Sequence, residues 1–387
     1  MNITDSIFYI GVDDKDLDLF ESQYVIPNGI SYNSYVIMDD KIAVMDTVDN
    51  RKTDEWFANL EKVLDGKTPE YLVISHMEPD HAANIQRFTE KYPETKLVGN
   101  VKTFSMLPQF FETDFSAKQV VVKEGENLSL GKHTLQFFMA PMVHWPEVMV
   151  TYDEYDKVVF SADAFGKFGA LDTDEDWDCE ARRYYFNIVG KYGAQVQALL
   201  KKLSGIDVEK ICPLHGPILD ANLSHYIGKY DTWSKYEPEN KGVTVVYASI
   251  HGNTATAAKK MAELLESKGE KVSLFDLSRD DMAEAIEDSF RYDGLVLACS
   301  TYDGGLFPVM EDYLSHLKAK TFRNRTVALI ENGSWAAISG RKMREALETM
   351  KDVTVLERVV SIKSSVKQNN IDEMEVLADE LIASLNR

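Results

Sequence analysis

The chain has 387 residues, of which 44% are hydrophobic and 27% charged, with a formal net charge of −21. That length exceeds one ordinary core and suits two domains, and the composition is that of a globular protein. A surface this negative repels phosphate backbones, and no stretch reaches the roughly 18 to 20 apolar residues needed to cross a bilayer, so neither nucleic acid nor a membrane is expected as a main partner. The start, Met1-Asn2-Ile3-Thr4-Asp5, lacks the basic and apolar runs of a secretory leader. The three cysteines, Cys179, Cys212 and Cys299, are scattered and form neither a CxxC knuckle nor an evident disulfide framework, so a reducing, cytoplasmic setting is expected.

The first 240 residues read as short strands in quick succession, then helices. Ser34–Ile37 and Lys41–Asp46 look like a hairpin around Asp39-Asp40. Asp54–Leu64 is helical by apolar spacing, Tyr71–Ile74 is a buried strand, and His81–Lys91 is a second helix. Strands follow at Leu97–Gly99, Leu135–Met139, Glu147–Thr151 and Lys157–Ser161. Such mixing suggests packed sheets flanked by helices. The stretch Lys229–Gly242 reads as polar, with little that could pack, and marks a boundary: domains 1–240 and 241–387 are expected.

Beyond it the pattern alternates strictly. Strands at Val243–Ala248, Lys271–Phe275, Leu295–Cys299, Thr326–Glu331 and Val353–Val359 are each followed by a helix: Thr254–Ser267, Met282–Asp288, Val309–Leu317, Ala336–Met350 and Ile371–Leu385. Near-continuous β-branched strands in such an order imply a doubly wound parallel five-stranded sheet with helices on both faces.

The sharpest chemical feature is His76-Met77-Glu78-Pro79-Asp80-His81, four metal-capable side chains in six positions after a buried strand. Alternate residues of an extended loop project the same way, so His76, Glu78 and Asp80 can converge. His144, Asp163 and His215 each stand where an apolar run meets a loop, the place where sites on layered sheets are assembled. His133, His225 and His316 read as structural. The set of four imidazoles and three carboxylates is hard and anionic enough to favour iron or manganese, and the two oxygens of Asp163 would let it bridge two metals.

The second chemical feature is the turn Ser249-Ile250-His251-Gly252-Asn253-Thr254 between a strand and a helix. Hydroxyls, a glycine and free helix N–H groups suit a phosphate held by neutral donors. It lacks the lysine of a P-loop. Two further loops leave strand carboxyl ends: Ser300-Thr301-Tyr302-Asp303-Gly304-Gly305 and Asn332-Gly333-Ser334-Trp335. They combine close backbone approach with the aromatic faces of Tyr302 and Trp335, as a flat ring requires.

Residues 1–240 resemble the metallo-β-lactamase fold, whose HxHxDH motif is followed by His, Asp and His; the departure is Glu78 in place of a histidine. The later loops resemble flavodoxin, the first by its [ST]xxGNT pattern. The whole chain is therefore similar to the flavodiiron proteins, an αββα metallo-β-lactamase-like sandwich followed by a flavodoxin-like domain. The resemblance implies that His76, Glu78 and His144 bind one iron, that Asp80, His81 and His215 bind another, and that Asp163 bridges them. It also implies FMN on the three loops, reduction of O2 to water and/or NO to N2O, an external donor such as rubredoxin, and a head-to-tail homodimer or a dimer of dimers. A dizinc hydrolase fused to a flavodoxin module is the alternative, with metal-bound hydroxide as its nucleophile.

Overall fold

A computed structural model of the protein describes residues 2–385. Its contacts divide into two compact units, Met1–Tyr185 with Tyr192–Asp231, and Phe186–Lys191 with Thr232–Arg387. The first holds two sheets. One orders the strands Ile7–Tyr9, Tyr35–Ile37, Ala43–Met45, Tyr71–Val73, Lys96–Gly99 and Gln119–Val121. The other orders Asn127–Ser129, Thr134–Met139, Met149–Asp153, Val158–Phe160 and Lys210–Cys212. The expected hairpin is present, with Tyr35 opposite Met45 and Ile37 opposite Ala43. Inward-facing residues of both sheets, among them Ile37, Met45, Val73, Phe137, Met149 and Phe160, form one buried apolar layer.

Two local expectations are corrected. The loop after Tyr71–Val73 does not stay extended as far as Asp80: Glu78 is extended (ψ 138°), but a short helix, Pro79–Ala82, begins directly after it. Pro79 sits at the first helical position, where its missing N–H costs nothing. The expected helix His81–Lys91 is in fact broken, because Asn84 turns aside before Ile85–Lys91. Its amide donates to the Val48 carbonyl and accepts from the Thr53 hydroxyl, bonds that a continuous helix would not allow.

The second unit is a parallel sheet in the order Val272–Asp276, Asn240–Ala248, Tyr292–Tyr302, Arg325–Asn332, Val353–Ile362. The chain starts in the second position, moves out to one edge, then returns and fills the other side. That reversal leaves a crevice at the carboxyl ends of the strands Asn240–Ala248 and Tyr292–Tyr302. The central residues Leu295, Val296, Leu297 and Ala298 are fully buried, as a strand covered on both faces must be. The helix expected from Ala336 begins only at Ser339, because Ala336–Ile338 belong to the loop before it.

The stretch Lys229–Gly242 is also corrected. The helix Leu223–Ser234 runs into it and the strand Asn240–Ala248 begins inside it. Its aromatics pack: Tyr230 and Trp233 are fully buried and Tyr236 nearly so. The Trp233 indole donates to Glu239 Oε2 at 2.7 Å. Counting polar residues concealed aromatic side chains at helical spacing. Replacing Trp233 by Ala is expected to cost about 3–5 kcal/mol, read as a lower denaturation midpoint. Trp233→Phe, which keeps most of the volume and loses only the indole bond, should cost about 1–2 kcal/mol.

Candidate metal centre and flavin site

The strand Tyr71–Val73 delivers the motif loop to the carboxyl edge of the first sheet. Asp46 Oδ1, at the end of the neighbouring strand, accepts from the backbone N–H of Ser75 at 2.7 Å and holds the loop in place. His76 is fully buried, and its Nδ1 donates to Glu147 Oε1 at 2.7 Å. The same oxygen accepts from the Met77 N–H at 2.8 Å. With Nδ1 protonated, His76 Nε2 presents a lone pair. It faces Glu78 Oε2 at 3.1 Å and Asp163 Oδ2 at 3.5 Å. His144 Nε2 meets the same two oxygens, at 3.1 Å and 2.9 Å. These four side chains form one cluster.

Asp80, His81 and His215 form another. His81 Nε2 lies 3.3 Å from Asp80 Oδ2, and His215 Nε2 lies 3.2 Å from the same atom. The two ring nitrogens approach to 3.1 Å. His215 Nδ1 donates to the Ser31 carbonyl at 2.7 Å, which turns its Nε2 inward. Asp163 serves both clusters, with Oδ2 toward His76 and His144 and Oδ1 3.1 Å from His81 Nε2. All seven side chains expected from the sequence are thus brought together, six of them buried and Glu78 at the edge.

The atoms fit two cations. Both Asp80 carboxylate oxygens and Asp163 Oδ1 are buried without a hydrogen-bond partner, an arrangement that is costly unless a positive charge completes it. Asp163 Oδ1 is close to His81 Nε2 without being aligned for a hydrogen bond, as two donors aimed at a common ion are. The electrostatics agree. Against the opposing effect of burial, Asp163 and Glu147 hold His76 well above the ordinary histidine range. Burial likewise opposes the rise of His144, but Asp163 and Glu78 raise it to about 9. His81 and His76 hold the Asp163 carboxyl well below its usual value, although burial acts the other way. The pocket stabilises positive charge strongly.

Sequence reasoning missed Glu147 and Ser31, which orient His76 and His215. Glu147 left a signal, a carboxylate set against the apolar run Val148-Met149-Val150 and three residues past His144. Ser31 left none, since it acts through its carbonyl. The rings of Phe20, Tyr32 and Tyr184 pack around the buried His215 at centroid distances of 5.4, 6.1 and 5.6 Å. His133, His225 and His316 lie elsewhere: His133 binds Asp153, His225 binds Asp178, and His316 sits 3.5 Å from Asp312 on its own helix.

In the second unit the three loops enclose a cavity of about 560 Å³. Ser249, Ile250, His251, Asn253 and Thr254 line it from the first loop, Ser300 to Gly304 from the second, and Asn332 to Trp335 from the third. Two expected residues do not line it. Gly252 lies within the turn at φ +87°, where it lets the helix Asn253–Ser267 start, and its N–H donates to Ser249 Oγ. Gly305 faces a neighbouring groove and pairs with Tyr302. Ala336, Ile338 and Ser364 line the cavity without having been expected; Ser364 is held there by reciprocal bonds with Asn332. Thr254 Oγ1 and Ser300 Oγ, 2.7 Å apart, tie the first loop to the second. Among the described residues, no lysine or arginine lines the cavity. Trp335, 95% exposed, offers an open aromatic face beside it.

Two outcomes are expected. Glu147→Ala should lower metal affinity about 10- to 100-fold by freeing the His76 ring, measured by competition with a chelator, while flavin content is unchanged. Gly252→Ala meets no atom within 4 Å, so its cost is backbone strain of about 1–2 kcal/mol. It should weaken flavin binding in a fluorescence titration and leave metal content intact.

Residues 30–216 match the ODP family beta lactamase description, and residues 245–373 match flavodoxin. A nitric oxide reductase of Moorella thermoacetica is 28% identical, with 90% of each chain covered. The structure of rubredoxin oxygen:oxidoreductase from Desulfovibrio gigas superposes with a TM-score of 0.93 at 27% identity, covering 100% of this chain and 98% of that one. A flavo di-iron protein variant from Thermotoga maritima gives 0.89 at 25% identity, covering 98% and 96%. With an ODP-type β-lactamase-like domain, a flavodoxin domain and relatives alike over nearly their whole length, the chain belongs to the flavodiiron proteins.

Proposed function

We propose that the protein reduces O2 to water, NO to N2O, or both, at a diiron centre reloaded by FMN. One observation carries the reading: Glu78 occupies the position of a zinc hydrolase histidine and faces both His76 and His144. Three carboxylates among seven donors suit an ion that cycles between Fe(II) and Fe(III) better than a zinc hydroxide. In this reading His76, Glu78 and His144 hold one iron, Asp80, His81 and His215 hold the other, and Asp163 spans the two. The relatives named nitric oxide reductase and rubredoxin oxygen:oxidoreductase support the same chemistry.

A diferrous centre stores two electrons and reduced FMN two more; four take O2 to two waters, and two take a pair of NO molecules to N2O and water. The chain's own residues prepare that step. Glu147 and the Ser31 carbonyl fix two imidazoles in the ligating tautomer. Phe20, Tyr32 and Tyr184 give His215 an apolar surround. In the flavin cavity, neutral hydroxyls and backbone N–H groups would receive the phosphate, and Tyr302 and Trp335 offer aromatic faces to the ring system.

The remaining assignments belong to the same proposal. Residues 1–240 form the diiron domain and 241–387 the FMN domain. Electrons come from a rubredoxin-type carrier. A head-to-tail homodimer sets the flavin of one copy against the irons of the other, either alone or as a dimer of dimers. The setting is cytoplasmic; among the described residues no helix is long and apolar enough to cross a membrane.

Parallel anaerobic assays of the reduced protein with O2 and with NO, following turnover and product, decide between the gases. His81→Ala and Asp163→Ala should each abolish reduction of either gas while FMN remains bound; full turnover in either variant would reject the assigned centre. Two zinc ions per chain, with no iron, would instead favour the hydrolase.

A further inference from the structure

We infer that His251 is a cationic phosphate-binding residue of the flavin site, and that it makes retention of FMN dependent on pH. The inference rests on the FMN assignment and adds to it the identity of the group that answers the phosphate charge.

Apart from Asp303, the rest of the described lining is neutral. Its serine and threonine hydroxyls come from Ser249, Thr254, Ser300, Thr301, Ser334 and Ser364, and its remaining donors are the Tyr302 hydroxyl and backbone or amide N–H groups. All six are engaged within the protein: Ser249 Oγ accepts from the Gly252 N–H, Thr254 Oγ1 is bonded to Ser300 Oγ, Thr301 Oγ1 accepts from the Ile338 and Ser339 N–H groups, and Ser334 Oγ is bonded to Ser364 Oγ. Among the side chains lining the cavity, His251 alone can carry positive charge. It stands at the third position of the turn, directly before Gly252, whose left-handed conformation opens the helix Asn253–Ser267. His251 and Asn253, the first residue of that helix, therefore line the cavity from one loop. The ring is exposed and has no hydrogen bond or ion pair with another described residue, so it is free to turn toward a ligand.

The titratable groups facing this space from the other elements are few. Tyr302 and Asp303 line the cavity from the second loop; the third loop and Ser364 contribute none. Asp303 is the one carboxylate there and would repel a phosphate, which raises the value of a compensating cation. An imidazole changes charge between about pH 5 and pH 8, the range in which a phosphate monoester takes its second charge. A partly exposed charge pair of this kind changes affinity about threefold to tenfold.

The test is a fluorescence titration of flavin-free full-length protein with FMN and with riboflavin, from pH 5.5 to 8.5, for the parent and for His251→Gln. Glutamine keeps a hydrogen-bonding side chain of similar reach without the charge. FMN should bind the parent about threefold to tenfold more tightly than the variant at pH 6, and the gap should close by pH 8. Riboflavin, lacking the phosphate, should bind both proteins alike at every pH. Equal FMN affinity of parent and variant across the range would overturn the inference while leaving the cofactor assignment standing. Loss of riboflavin binding together with FMN binding in the variant would also overturn it, since the effect would then lie in the loop and not in the phosphate contact. Failure of the parent to bind either flavin would overturn the cofactor assignment and the inference with it.

Discussion

The Asp163 carboxylate is the constraint around which the first unit is arranged. It is buried, its two oxygens face different histidine pairs, and one oxygen has no hydrogen-bond partner. A lone buried carboxylate is expensive, so the fold must surround it with groups that tolerate or supply positive charge. Four imidazoles do so, and they arrive from separate places: the motif loop, the loop before Met149–Asp153, and the loop after Lys210–Cys212. The two sheets bring those loops to one edge. The apolar layer between them, with Met45, Val73, Met149 and Phe160, gives the loops fixed ends. The packing energy of that layer, set against the small net stability of a folded domain, is what holds the charged cluster in register.

Precision comes from partners that never touch the metals. Glu147 is as buried as the histidine it orients, and it ties the His76 ring and the Met77 backbone with a single oxygen. Asp46 fixes the backbone just before His76. A ligand set placed only by its own loop would wander by more than the tolerance of a coordination sphere; the second layer of hydrogen bonds removes that freedom. The flavin unit uses the same device in a neutral form. Thr254 with Ser300, and Asn332 with Ser364, join loops that come from different strands, so the cavity keeps its shape without charged side chains.

How much of this was legible depended on whether the signal was local. The parallel sheet could be read because a strand buried on both faces is apolar at every position, as Leu295–Ala298 are. Its phosphate turn could be read because glycine and helix-capping residues act where they stand. Pattern reading failed where a polar residue took a private partner, as Asn84 did with Val48 and Thr53 to break the helix expected from His81. It failed again at Lys229–Gly242, where Tyr230 and Trp233 were outnumbered by polar neighbours but are fully buried.

By itself the sequence determined the two kinds of domain and pointed to the seven candidate donors and the three candidate flavin loops, because these are properties of residue type and short spacing. The tertiary structure alone decided how the donors divide into two clusters joined by Asp163, since 163 is brought against 76 and 81 by the packing of two separate sheets, which no short spacing encodes. It alone assigned Glu147 and Ser31 to the histidines they orient, because a hydrogen bond between residues 71 or 184 positions apart leaves no periodicity to read. It alone left Gly252 and Gly305 out of the flavin cavity's lining, their task being the backbone conformation and not the contact.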